Sequence, residues 1–183
     1  MTCFRTTLKS KAAKKAQKPR SSERGQKMEE EFVKMYEDVS GSGAVFVRTH
    51  RIADRESVEV ILRVKDLSKL KSSNDILHPL NMVSATVRQG NPDQSAVIYV
   101  DLRKATGFAF AMTKYLIGWI RRNKPLFSLN LKETRVITST GGFWFTVVRN
   151  IKNLVGTARP CTIATQYDTH VSVIRMLDSV CKT

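Results

Sequence analysis

Residues 44–52, "AVFVRTHRI", and 57–67, "SVEVILRVKDL", alternate apolar and polar side chains. That period of two marks strands with one buried face. "SATVRQG" (84–90) and "SAVIYVDL" (95–102) repeat the pattern. Between these pairs, "SSNDILHPLNMV" (72–83) opens with helix-start chemistry at Ser73, Asn74 and Asp75, and Pro79 limits the predicted helix to a turn or two. Ahead of the first strand, Phe32, Met35, Tyr36 and Val39 recur at helical spacing, which predicts a short helix stopped by Ser40-Gly41-Ser42-Gly43.

The strongest predicted helix covers 106–125. Phe108, Met112, Tyr115, Leu116 and Trp119 share one stripe, Thr106 can cap the start, and Pro125 ends it. Arg121, Arg122 and Lys124 suit a C-terminal dipole. "LNLKETRVITSTGGFWFTVVRNI" (129–151) reads as a hairpin turning at Ser139-Thr140-Gly141-Gly142. Residues 160–177 offer one or two closing strands. The sum is an α+β fold: a single compact domain with a mostly antiparallel sheet, packed by one long and one or two short helices. The alternative is an all-β jelly-roll sandwich, in which "GFAFAM" is also a strand.

Charge changes the picture at the N-terminus. The chain of 183 residues has 31 basic and 16 acidic residues, a net charge of +15. Residues 1–27 hold nine of the basic residues and one acid, Glu23, so more than half of the excess sits in about a seventh of the chain. "KSKAAKKAQKPRSSERGQK" (9–27) has no large apolar side chain to offset the entropy of ordering it. The expected organisation is a disordered basic arm over 1–27 and a globular domain over 28–183. No apolar run reaches the roughly 20 residues of a membrane span, and no apolar region follows the first basic residues as in a secretory signal.

Catalytic and cofactor motifs are missing. There is no P-loop, no Gly-x-Gly-x-x-Gly and no His-Glu-x-x-His. Cys3, Cys161 and Cys181 lack metal-ligand spacing and read as free thiols. His170 near Asp168 and Cys161, or Asp54 near Glu56, could suggest a catalytic group, but nothing in the sequence makes either set converge. No enzyme, cofactor or metal is expected.

Lys9, Lys11, Lys14, Lys15, Lys18, Arg20, Arg24 and Lys27 are candidate phosphate contacts, on RNA or on an anionic membrane surface. Arg121, Arg122 and Lys124 beside Trp119 form a second candidate patch. In "FWF" (143–145) a strand would turn Trp144 away from Phe143 and Phe145, making Trp144 the candidate for self-association.

"ARPCTIATQYDTHVSVIRMLD" (158–178) resembles the late part of rhabdovirus matrix proteins. There an Arg-Pro pair leads into a strand, a turn and a second alternating strand; Arg159-Pro160, Ile163, Tyr167, Val171 and Val173 stand in matching places. The short length and the absence of Pro-Pro-x-Tyr look more like plant-infecting, cytorhabdovirus-like members. The resemblance implies a virion structural protein that self-associates, condenses the viral nucleocapsid and links it to the lipid envelope and to glycoprotein cytoplasmic tails. It also implies damping of viral RNA synthesis, and a place in the virion, the host cytoplasm, at membranes and in the host nucleus. Alternatives are a small coat protein with an RNA-binding arm, or an RNA-binding protein such as a silencing suppressor.

Overall fold

The structure is a computed structural model that describes residues 32–38, 41–52, 55–89, 95–107, 110–139 and 142–180, without the side chains of 51, 52, 55 and 56. The predicted arm lies outside the described residues. Strands β1 (Val33–Glu37), β2 (Gly43–Ile52) and β3 (Arg55–Val64) run as an antiparallel meander. Strands and helices then alternate: α1 (Ser73–Gln89), β4 (Ala96–Leu102), α2 (Phe110–Asn130), β5 (Leu131–Thr138), α3 (Phe143–Val155), β6 (Cys161–Thr165) and α4 (Val171–Ser179). All six strands form one sheet in the order β1-β2-β3-β4-β5-β6.

The α+β class holds, and the sheet is mixed. Two of its five strand pairs are antiparallel and three are parallel, which corrects the expected mostly antiparallel sheet and excludes the all-β sandwich. A helix between successive strands returns the chain to the same end of the sheet, so each new strand runs parallel to the last. The expectation cut α1 short and missed α3 and α4, reading parts of all three as strands. "SATVRQ" (84–89) belongs to α1, the second half of the supposed hairpin is α3, and the alternation from Val171 is the start of α4. Where the first helix was expected, Val33–Glu37 form the edge strand β1 instead.

Two prolines expected to stop helices sit inside them: Pro79 in α1 and Pro125 in α2. A proline inside a helix costs ~3 kcal/mol. In α1 the burial of Leu80, Val83 and Val87, one turn apart, offsets it at about 1.5–3 kcal/mol per side chain. Pro125 leaves α2 to continue as far as Asn130.

Register sets which side chains share a face. Leu62 pairs with Val100, Val100 with Val136, and Val136 with Ile163, making an apolar row across β3 to β6. The crossovers carry α1, α2 and α3 over this side. Val45, Val60, Ile98, Leu80, Val83 and Trp119 pack together there. The opposite side holds Phe46, Ile61, Tyr99 and Ile137 under Leu177 of α4 and Val180, the residue that follows it.

Candidate functional site

α2 is the most strongly basic element of the fold. Its 21 residues include no Asp or Glu. Lys114, Arg121, Arg122 and Lys124 are all exposed on its outer side, and Phe110 and Leu129, 82% and 62% exposed, stand near its two ends. At 1.5 Å per residue the helix presents this face over about 30 Å. Among the described residues, none of Arg121, Arg122 and Lys124 lies within ion-pair distance of an acid. All three predicted residues are exposed on α2, with Arg122 and Lys124 on opposite flanks of it and Lys124 beside Gly156 at the end of α3. They sit in the middle of the helix, however, not at its C-terminal end, because α2 continues through Pro125.

The sequence carried a further signal that the element-by-element reading passed over. Between Asp101 and Asp168 the chain has eleven Lys and Arg and one acid, Glu133. Residues 28–183 carry +7 in all, so this stretch at +10 makes the rest of that part acidic by three. The charge asymmetry thus lies within the fold as well as between arm and fold. It concentrates on the chain from β4 to β6, which includes α2 and α3.

The other predicted residues have different surroundings. Lys9, Lys11, Lys14, Lys15, Lys18, Arg20, Arg24 and Lys27 lie outside the described residues. Trp119 is buried, edge-on to Phe127 with ring centres 5.4 Å apart, so it belongs to the core and not to a surface anchor. Trp144 is not on a strand. It lies on the inward stripe of α3, half-buried, and its Nε1–H donates to the Ala105 carbonyl at 2.9 Å. Its neighbour Phe143 is the exposed ring, at 58%. The helical period of Trp144, Val147, Val148, Ile151 and Val155 overrides the aromatic, β-branched local preference that predicted a strand.

His170, Asp168 and Cys161 share no hydrogen bond. His170 caps α4, with Nδ1 2.7 Å from the Ser172 hydroxyl and 3.3 Å from its backbone N–H, while Asp168 accepts from Thr165 at 2.6 Å. Cys161 lies on β6, where burial pushes its thiol up. Asp54 lies outside the described residues, as does the side chain of Glu56.

The most connected carboxylates lie on the α4 side of the sheet. Glu59 accepts from Arg48 and from the Tyr99 hydroxyl at 3.3 Å, with His50 Nε2 2.8 Å away. Burial alone would raise the Glu59 carboxyl, but the His50 and Arg48 hydrogen bonds outweigh it and hold it below its ordinary range. The Tyr99 hydroxyl is pushed up to about 12, by burial first and then by the Glu59 charge. Asp101 is likewise held low, because its hydrogen bonds from Arg103 outweigh its burial.

Among the described residues no group of three or more His, Cys, Asp or Glu could hold a metal, and no helix is long and apolar enough to cross a membrane. Comparison with protein-family models, with curated proteins and with solved structures returns no match to this chain.

Proposed function

We propose that this protein is a structural, matrix-type component that binds polyanionic surfaces through two basic regions, the arm and the outer face of α2. In this role it condenses a viral ribonucleoprotein and holds it against an anionic membrane, in contact with glycoprotein tails, and damps RNA synthesis by coating the template. The observation that carries the reading is the acid-free face of α2, where Lys114, Arg121, Arg122 and Lys124 are all exposed. Exposed Phe110 and Leu129 favour lipid as the target of this face, since an interfacial helix pairs basic residues with apolar ones that enter the acyl boundary. Self-association, which the role requires, is assigned to α3, with Phe143 as the contact because Trp144 is bonded inward.

The test compares two full-length variants, Arg121→Gln/Arg122→Gln/Lys124→Gln and Lys11→Gln/Lys14→Gln/Lys15→Gln/Lys18→Gln. With liposomes containing anionic lipid, the α2 variant should bind about 100-fold more weakly, at roughly 1 kcal/mol per lost cation. With single-stranded RNA, the arm variant should lower the salt slope by about 3, at ~0.7 per cation. Unchanged binding and slope in both variants would sink the reading. Sedimentation of Phe143→Ser should show a smaller assembly than wild type at high concentration; an unchanged assembly moves the contact elsewhere.

A further inference from the structure

α1, α2 and α3 do not close down on the sheet. They enclose a cavity of about 300 Å³, roughly ten times a water molecule's share of liquid volume and at the lower end of the range for ligand pockets. Its floor includes Ile98, Val100 and Val136, and its walls come from the inner stripes of the three helices. α3 turns Trp144, Val147, Val148, Ile151 and Val155 toward this space, yet none of its thirteen residues is buried. An amphipathic helix with that stripe normally completes a core. Here it covers a void.

Two further observations say what the void suits. Its lining is almost wholly apolar, with the Trp119 ring on one wall. The cavity also reaches the surface between exposed Lys124 and exposed Gly156, with Lys152 and Arg159 on the same rim. Lys152 donates to the Cys161 carbonyl at 2.7 Å and Arg159 to the Ser128 carbonyl at 3.0 Å, and each keeps further N–H groups. The acid on the lining, Asp75, is occupied by Ser72 and the Lys71 backbone.

We infer that the cavity under α3 is a binding site for a singly acylated anionic lipid, with the acyl chain inside against the Trp119 ring and the charged end at the Lys124, Lys152 and Arg159 rim. One chain fits this volume. The shared chemistry belongs equally to a free fatty acid and to a monoacyl phospholipid.

The test uses the full chain carrying Lys11→Gln/Lys14→Gln/Lys15→Gln/Lys18→Gln, in moderate salt, so that the arm does not gather anions. The probes are octanoate, decanoate, dodecanoate, lauroyl lysophosphatidate and neutral dodecanol, all below their micelle concentrations. Expected is one-to-one binding that shifts the Trp119 indole N–H resonance, assigned by its loss in Trp119→Phe. Affinity should rise roughly tenfold for each two methylenes from octanoate to dodecanoate. Dodecanoate should bind at least tenfold more tightly than dodecanol, and its ratio to lauroyl lysophosphatidate tells which source fits better. Val148→Trp should fill the space and cost tenfold or more, while RNA and liposome binding, in which Val148 takes no part, stay at the wild-type level. A Trp119 resonance that none of the probes moves overturns the inference. So does chain-length-independent binding in the unfilled protein, which is surface adsorption and needs no folded Val148→Trp variant to detect.

Discussion

The two sides of the sheet are built on opposite plans. On the α4 side, polar groups fix the packing. Buried Arg63 donates to the Leu177 carbonyl at 2.6 Å and to the Val180 carbonyl at 3.4 Å, so a guanidinium closes the C-terminal end of α4. Arg63 also pairs with Asp101 at 3.4 Å; Asp101 accepts from Arg103 at 2.9 Å, and Arg103 reaches Asp178 on α4 at 2.9 Å. On the α1–α3 side, apolar stripes carry the packing and leave 300 Å³ unfilled. α3 itself is tied down by hydrogen bonds from Trp144 to Ala105 and from Lys152 to Cys161. Directional bonds give one arrangement; apolar contact alone allows a helix to lie over a space and move when something enters it.

The largest effect that would break this contrast is at Arg63. Arg63→Met leaves Asp101 buried with one fewer cation and removes the guanidinium bonds to the Leu177 and Val180 carbonyls. Removing one member of a buried, bonded ion pair costs about 3–5 kcal/mol. Urea unfolding should show that loss, and the corresponding tie on the other side, Lys152→Met, should cost only about 1 kcal/mol, the net worth of one hydrogen bond. Equal costs would mean that α3 is held as firmly as α4.

A second pair compares neighbours that face opposite ways. Ile61 and Ile98 are both buried, on adjacent parallel strands, Ile61 under α4 and Ile98 at the cavity floor. Substitution of either by Ala falls in the range of about 2–5 kcal/mol, and the cost grows with the contacts and cavity involved. Ile61→Ala should lie near the top of that range and Ile98→Ala near the bottom, because Ile98 already borders empty space. Equal values in denaturant melts would show the cavity to be filled in solution.

The same contrast explains what the sequence disclosed. β2, β3 and β4 alternate side chains over seven to ten residues, and their positions were legible from that alone. α1 was cut short by taking Pro79 as a stop, when the burial of Leu80, Val83 and Val87 outweighs it. α3 and α4 were read as strands from local preference, in "FWFTVV" and "VSVI", although Trp144 to Val155 and Val173 to Leu177 keep helical spacing. β1 was read as a helix for the opposite reason: its period fitted, but pairing with β2 decides its conformation. The basic side chains of α2 were visible as charge. Their place in the middle of the helix was not, since it depends on α2 running past Pro125. The cavity was beyond reach, because a void is a property of how three helices and a sheet meet, and each stripe by itself looks like ordinary core.

The smallest predicted effect is the most discriminating one. Each side of the sheet buries one aromatic ring with a polar hydrogen. Tyr99 gives its hydroxyl to Glu59 at 3.3 Å, whereas the Trp119 N–H has no partner. Tyr99→Phe removes a long hydrogen bond and strips Glu59 of one of its donors, so it should cost about 0.5–1.5 kcal/mol, the usual net value of such a bond. Trp119→Phe has two opposed consequences. It shrinks a ring that packs on Phe127, which destabilises. It also removes a buried donor whose unmet desolvation is worth about 1–3 kcal/mol, which stabilises. The two should nearly cancel in the ligand-free protein, leaving a change within about 1 kcal/mol by urea melt. A loss as large as that of an ordinary core truncation, about 3 kcal/mol or more, would mean that the N–H is already paired, by a buried water or a retained ligand. The cavity side would then be as fully bonded as the α4 side, and the contrast between the two would disappear.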